Sequence, residues 1–152
     1  MELLFKISFL ILSSVFTGIV LFLSTVLRET FNALKEEQYY CVYSEIIVRG
    51  RKSIVINTIV LVPILIFSAY IICGFRNFFF IIGSLLYILG SFVSSILINE
   101  PAYTKLLKMD INDQAGMIII RGLLNKGNIT RTVLSLFGIL LVGISIYWDG
   151  QD

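Results

Sequence analysis

The side chains in this chain that could take part in chemistry are few and of restricted kinds. There is no histidine among its 152 residues, which removes the commonest metal ligand, the usual near-neutral proton shuttle and any His-ligated haem. The two cysteines, Cys41 and Cys73, form no C-x-x-C pair, so they read as inert packing residues. What remains is a set of amides, one phenol, one carboxylate and one guanidinium: Asn57, Tyr87, Asn99, Glu100, Asn128 and Arg131. An arginine fork can clamp a planar acceptor with two parallel hydrogen bonds. Glu100 or Asn99 is therefore expected to pair with Arg131 as a structural latch. A ligand site built on these six residues is the second reading. No catalytic residue, metal site or cofactor is indicated.

The elements that must position these residues are membrane helices. The chain is 57% hydrophobic and 14% charged, against roughly 25% charged in an ordinary soluble domain. Its net charge of +2 gives no reason to expect a nucleic-acid partner. Four apolar stretches, Ile7–Leu27, Ser53–Gly74, Asn77–Ile98 and Thr132–Trp148, read as spans, since a bilayer core takes about 20 helical residues. Ten of the twelve Lys and Arg residues fall in the connections 28–52 and 99–131, leaving only Lys6 and Arg76 on the other side. The positive-inside rule then places both connections in the cytoplasm and both termini outside, in a cell inner membrane. On that topology Cys41 and Cys73 lie on opposite sides. Tyr70, Phe75, Phe78, Phe79, Phe80, Tyr147 and Trp148 would form an aromatic belt at the outer boundary.

The expected fold is an all-α antiparallel four-transmembrane-helix bundle, a single domain with a helical cytoplasmic cap. The short connection around Arg76 makes the second and third spans neighbours. Tyr40, Tyr43 and Ile47 recur at i, i+3, i+7, which predicts an amphipathic cap helix stopping at Gly50. Thr30 could cap it, unless the first helix continues straight through. The second connection reads as a loop at 108–113 and a helical lead-in loosened at Gly122 and Gly127. Within the spans, Ser14-Thr17-Gly18-Thr25-Arg28 and Ser84-Tyr87-Ser91-Ser95 form small polar stripes suited to close helix packing. Asn57 and Asn99 fall at matching depth and could share one polar site. Pro63 frees the Ile59 carbonyl. Pro101 restricts Glu100 to extended backbone, ends the third helix and turns the chain.

Asn99-x-Pro101 after the third span and Asn128-x-x-Arg131-Thr132 opening the fourth carry a resemblance. With Thr17-Gly18 in the first span, the "ALKEEQ" connection and the tight hairpin, the chain resembles the anthrone-oxygenase-like family of small four-helix membrane proteins. The resemblance covers the layout of nearly the whole chain and is specific over about residues 98–135. It implies an integral membrane fold and, as in some fungal relatives, oxidation of anthrones without metal or flavin. Two departures weaken the enzyme reading: Leu124 and Gly127 stand where aromatics commonly precede the Asn-x-x-Arg, and there is no histidine.

Function is expected to be a structural or binding role in the membrane, as a subunit of a larger assembly. A membrane protein, a second copy or a lipophilic small molecule would be the partner. The alternative is a cofactor-independent oxidoreductase acting on a lipophilic aromatic substrate. Tyr87, Asn57, Asn99 and Arg131 would then make the polar contacts, with Arg131 stabilising a phenolate or enolate. No acidic or basic residue lies mid-span, as ion pumps and proton-coupled exporters usually need.

Overall fold

The structure, a computed structural model, describes residues 1–149. The described chain is all helical. Four helices are long and apolar enough to cross a membrane, which marks a multi-pass membrane protein. They are α1 (Glu2–Asn32), α3 (Ile54–Ile72), α4 (Phe78–Leu107) and α5 (Gln114–Asp149). A shorter helix, α2 (Glu36–Lys52), lies between α1 and α3. At 1.5 Å per residue the 31 residues of α1 and the 36 of α5 run to about 46 and 54 Å, well beyond a hydrocarbon core of about 30 Å. Their projecting ends, with that of α4, form a second core. In it Tyr39, Tyr43 and Ile47 of α2 pack on Phe31, Leu106, Met117 and Leu124.

The local chemistry explains most boundaries. Glu36 and Glu37 open α2 and Arg49, Arg51 and Lys52 close it, each charge complementing the helix dipole. The helix runs past Gly50, and Ser53 ends it, its hydroxyl accepting from Ile56 N–H at 3.3 Å to cap α3. Its buried tyrosine is Tyr39 rather than Tyr40, so the stripe runs i, i+4, i+8. Tyr39 stacks on Tyr43 with centroids 5.0 Å apart. Of the two readings at Thr30, the continuous first helix is the one observed, with Thr30 bonded back to Val26. Gly74, at φ +83°, makes the turn after α3. Asn77 accepts from Phe80 N–H at 3.0 Å to cap α4.

Pro101 does not end the third long helix, which runs on to Leu107. Glu100 is helical rather than extended, at φ −62° and ψ −42°. The reason is a π-helical turn, Ser95–Asn99, just before it. The wider turn passes the Glu100 N–H to the Ser95 carbonyl, and Pro101 falls in the first turn of the helix that follows. No donor is needed there. A second π turn at Leu89–Val93 and a third at Leu23–Leu27 in α1 shift the faces of both helices. Gly122 and Gly127 do not loosen α5, which is continuous.

The apolar core joins the helices in the order α3, α1, α5, α4. Gly83 and Gly138 bring the backbones of α4 and α5 together; a Cβ on either would stand 2.7 Å from the other's carbonyl oxygen. The buried stripe on α1 is Ser13, Thr17 and Ser24, while Ser14, Gly18 and Thr25 face outward. Phe9, Phe16 and Val20 fix that phase by filling the core. Ser24 meets Thr132 at 2.9 Å, and Thr132 also reaches the Val20 carbonyl at 3.2 Å. Both cysteines are exposed rather than packed. Tyr70 and Phe80 are fully buried, so the belt residues that do face outward include Phe78, Tyr147 and Trp148. Lys6 is buried as well, paired with Glu2 at 2.9 Å.

The hairpin partners α3 and α4 approach closely at few points. Ring contacts such as Phe67–Phe80 and Tyr70–Phe80 join them near the turn. Farther along, Tyr87 spans the gap and donates its hydroxyl to the Ile59 carbonyl at 3.4 Å. This is the carbonyl that Pro63 leaves without its helical donor. Tyr87→Phe is expected to cost about 1 kcal/mol of stability in detergent, within the range for orphaning a buried acceptor. In a Pro63→Ala background the new N–H serves Ile59, and the cost should shrink toward zero. Equilibrium unfolding of the four-member mutant cycle measures that coupling.

Candidate functional site

The divergence of α3 from α4 leaves a cavity of about 470 Å³, within the roughly 300–1,000 Å³ typical of small-molecule sites. Its inner wall is apolar, with Phe16, Ile19 and Val20 of α1 and Val60 of α3. Leu61 on α3 and Ile96 on α4 line it and are also exposed on the outer surface, so the gap opens sideways between the two helices. The π turns of α4 deliver Ser91 and Ser95 to the same wall. Toward α2 the lining turns polar, with Tyr43, Arg51, Asn57, Glu100, Tyr103 and Arg131.

The six residues singled out in the sequence divide into two groups. Asn57, Glu100 and Arg131 line the cavity; Tyr87, Asn99 and Asn128 do not. The expected latch to Arg131 is not formed. Glu100 pairs instead with Arg51 at the end of α2, at 2.5 Å. Asn99 donates to Asn128 at 3.3 Å and to the Tyr103 hydroxyl at 3.4 Å. The π turn carries Asn99 onto α5 and leaves Glu100 on the α2 side, which is why neighbours in sequence serve different helices. Asn57 and Asn99 do not share a site, because Asn57 is exposed and donates to the Arg51 carbonyl at 3.3 Å.

Asn128 completes a chain of polar groups by donating to the Tyr43 hydroxyl at 3.4 Å. Thus α2, α4 and α5 are joined through Tyr43, Asn128, Asn99 and Tyr103. Burial pushes the Tyr43 hydroxyl above its usual pKa, and the neighbouring Tyr103 adds to the rise. Tyr43 therefore stays a neutral hydrogen-bonding group at ordinary pH. The Arg131 charge is close enough to act on it in the opposite sense. A parallel staple holds the end of α1. Arg121 lies 4.2 Å over the Tyr39 ring and donates to the Asn32 carbonyl at 3.4 Å. Asn125 donates to the Asn32 side chain at 3.0 Å.

Arg121 keeps its Nε and one terminal nitrogen buried without a partner, and Arg131 shares that condition at its Nε while also lining the cavity. Arg131 is 8% exposed. Its guanidinium carbon stands 5.2 Å from the Phe16 ring centroid, a cation–π contact. Among the described residues no carboxylate pairs with it. No cluster of three metal-ligating side chains occurs among the described residues either.

Sequence reasoning missed Arg51, Tyr43 and Tyr103 as cavity residues. Tyr43 was legible only as an apolar position on α2, and no spacing rule links position 51 to position 100. The chain matches no protein-family model, no curated protein and no solved structure.

The polar junction makes a sharp contrast between two glycines of α5. A Cβ at Gly127 would overlap Asn99 Oδ1, whereas one at Gly122 meets nothing within 4 Å. Gly127→Ala should therefore separate α4 from α5 and lower thermal stability in detergent. Gly122→Ala should raise stability by about 0.5–1 kcal/mol through helix propensity alone. Melting curves of the two variants check both signs.

Proposed function

We propose that this chain is an antiparallel four-helix bundle of the cell inner membrane whose role is to bind a lipophilic small molecule. On this reading α2 is a cytoplasmic cap, the connections 28–52 and 99–131 lie in the cytoplasm, and both termini lie outside. The ten-to-two division of Lys and Arg supports that orientation. The single observation that carries the binding role is the cavity between α3 and α4. It has apolar walls, a sideways opening flanked by exposed apolar residues, and convergent polar groups at one end, which is the usual composition of a small-molecule site.

The oxidoreductase reading draws on the same cavity. Of its four expected polar contacts, Asn57 and Arg131 line the space and Tyr87 and Asn99 do not. Tyr87 is engaged with the Ile59 carbonyl. Arg131 would remain as a stabiliser of enolate or phenolate charge. The likeness to the anthrone-oxygenase-like layout rests on Asn99-x-Pro101 and Asn128-x-x-Arg131. Association with a membrane protein or a second copy would use the outer apolar faces and leave the cavity to its ligand.

The binding role is tested by filling the space. Ser95 lines the cavity and is only partly buried, so Ser95→Phe should occupy the cavity without disturbing the core. Protein purified gently from native membranes should retain a lipophilic molecule at near one-to-one stoichiometry, detected by native mass spectrometry. The Ser95→Phe protein should lose it. Retention of bulk membrane lipids only, identical in both proteins, would refute the reading.

A further inference from the structure

The binding role proposed above leaves the nature of the ligand open, and Arg131 narrows it. A guanidinium stays protonated at every accessible pH. Taking such a charge out of water costs several kcal/mol unless an opposite charge and hydrogen bonds accompany it. Arg131 is 8% exposed, lines the cavity, and has a buried Nε that bonds to nothing. The cation–π contact with Phe16 offsets only part of that cost, since such contacts contribute roughly 0.5–2 kcal/mol.

The other charges near the cavity do not change the balance. Arg51 and Glu100 also line it, but they neutralise each other at 2.5 Å and their side chains are 39% and 44% exposed. Glu100 is therefore not a counter-ion for Arg131. The remaining polar lining, including Tyr43, Asn57, Tyr103 and Ser95, contains no carboxylate. Among the described residues lining this apolar, laterally open space, Arg131 is the buried cation, and no described carboxylate is set against it.

We infer that the ligand is an amphiphile with one apolar chain or ring system and an anionic head, carboxylate or phosphate, held by the Arg131 guanidinium at the polar end of the cavity. The geometry suits such a molecule at both ends. An arginine fork binds either head group bidentately at about 2.7–2.9 Å. The walls formed by Phe16, Val20, Val60 and Leu61 take the apolar part, and the sideways opening lets it enter from the bilayer. The inference rests on the binding reading and adds the charge of the ligand to it.

The test uses four probes against the full chain in nanodiscs of neutral phosphatidylcholine: hexadecanoate, hexadecyl phosphate, hexadecanol and inorganic phosphate. Binding is read by native mass spectrometry with Ser95→Phe as the blocked control. The wild-type chain should bind at least one of the two anionic amphiphiles on the order of tenfold tighter than the alcohol. Which of them wins identifies a fatty-acid-like or a phospho-lipid-like source. Inorganic phosphate alone should bind far more weakly than either. Arg131→Gln should bring the anions down to the level of the alcohol, whose own binding reports that the variant is folded, and Arg131→Lys should restore part of the preference. Should Arg131→Gln fail to fold, the wild-type ratio of anion to alcohol still decides. Equal binding of anions and alcohol, abolished by Ser95→Phe, would overturn the anionic head and leave the cavity reading standing. No probe binding that Ser95→Phe abolishes would overturn both.

Discussion

In hydrocarbon a polar group without a partner has no water to turn to, and the arrangement of the four long helices follows where such groups find partners. Pro63 leaves the Ile59 carbonyl open, and Tyr87 crosses from α4 to close it. Pro101 has no N–H to give, and the π turn before it arranges the backbone so that none is required. Ser24 and Thr132 bond to each other and Thr132 to the Val20 carbonyl. Asn99 and Asn128 bond across α4 and α5. Apart from the turn at Pro101, each of these contacts is a cross-link between helices, and together they decide which pairs pack and which diverge.

The divergence of α3 from α4 is the useful outcome. Bonding at Ile59 holds the two helices at the length of a tyrosine side chain, and the apolar contacts near the hairpin close only the far end. Below Tyr87 the gap widens into the cavity. The polar junction of Tyr43, Asn128, Asn99 and Tyr103 closes its other side through α2. Arg131 then stands between an apolar space and a set of neutral hydrogen-bonding groups. In that setting a guanidinium is a strong and selective anchor. Asn99 and Asn128 bond to each other outside the cavity lining, and of these two and Arg131 it is Arg131 that lines the space.

Much of this fold was legible in the sequence because hydropathy and length are strong signals in a membrane chain. The four spans, the loop at 108–113 and the amphipathic character of α2 all follow from periodicity and composition. The freed Ile59 carbonyl was legible from Pro63 alone, although its donor was not. The phase of the polar stripes was not legible. Three π turns, at residues 23–27, 89–93 and 95–99, each shift the helix by part of a turn, and no residue type announces them. Past the turn at 95–99 Glu100 faces Arg51 rather than Arg131; ahead of any π turn, Ser13 replaced Ser14 on the buried face because Phe9, Phe16 and Val20 set the phase of α1. The packing of the hairpin misled in the same way: a short connection fixes where two helices start, not whether they stay together.

The central claim is that the space between α3 and α4 is a ligand site with Arg131 at its polar end. An experimental structure of the protein in nanodiscs, prepared from native membranes without delipidation, tests it most directly. The account predicts elongated density in the gap, ending in a polar group within about 3 Å of the Arg131 guanidinium, as charge-assisted hydrogen bonds require. A closed gap with α3 lying along α4, or Arg131 paired with the Glu100 carboxylate, would contradict it.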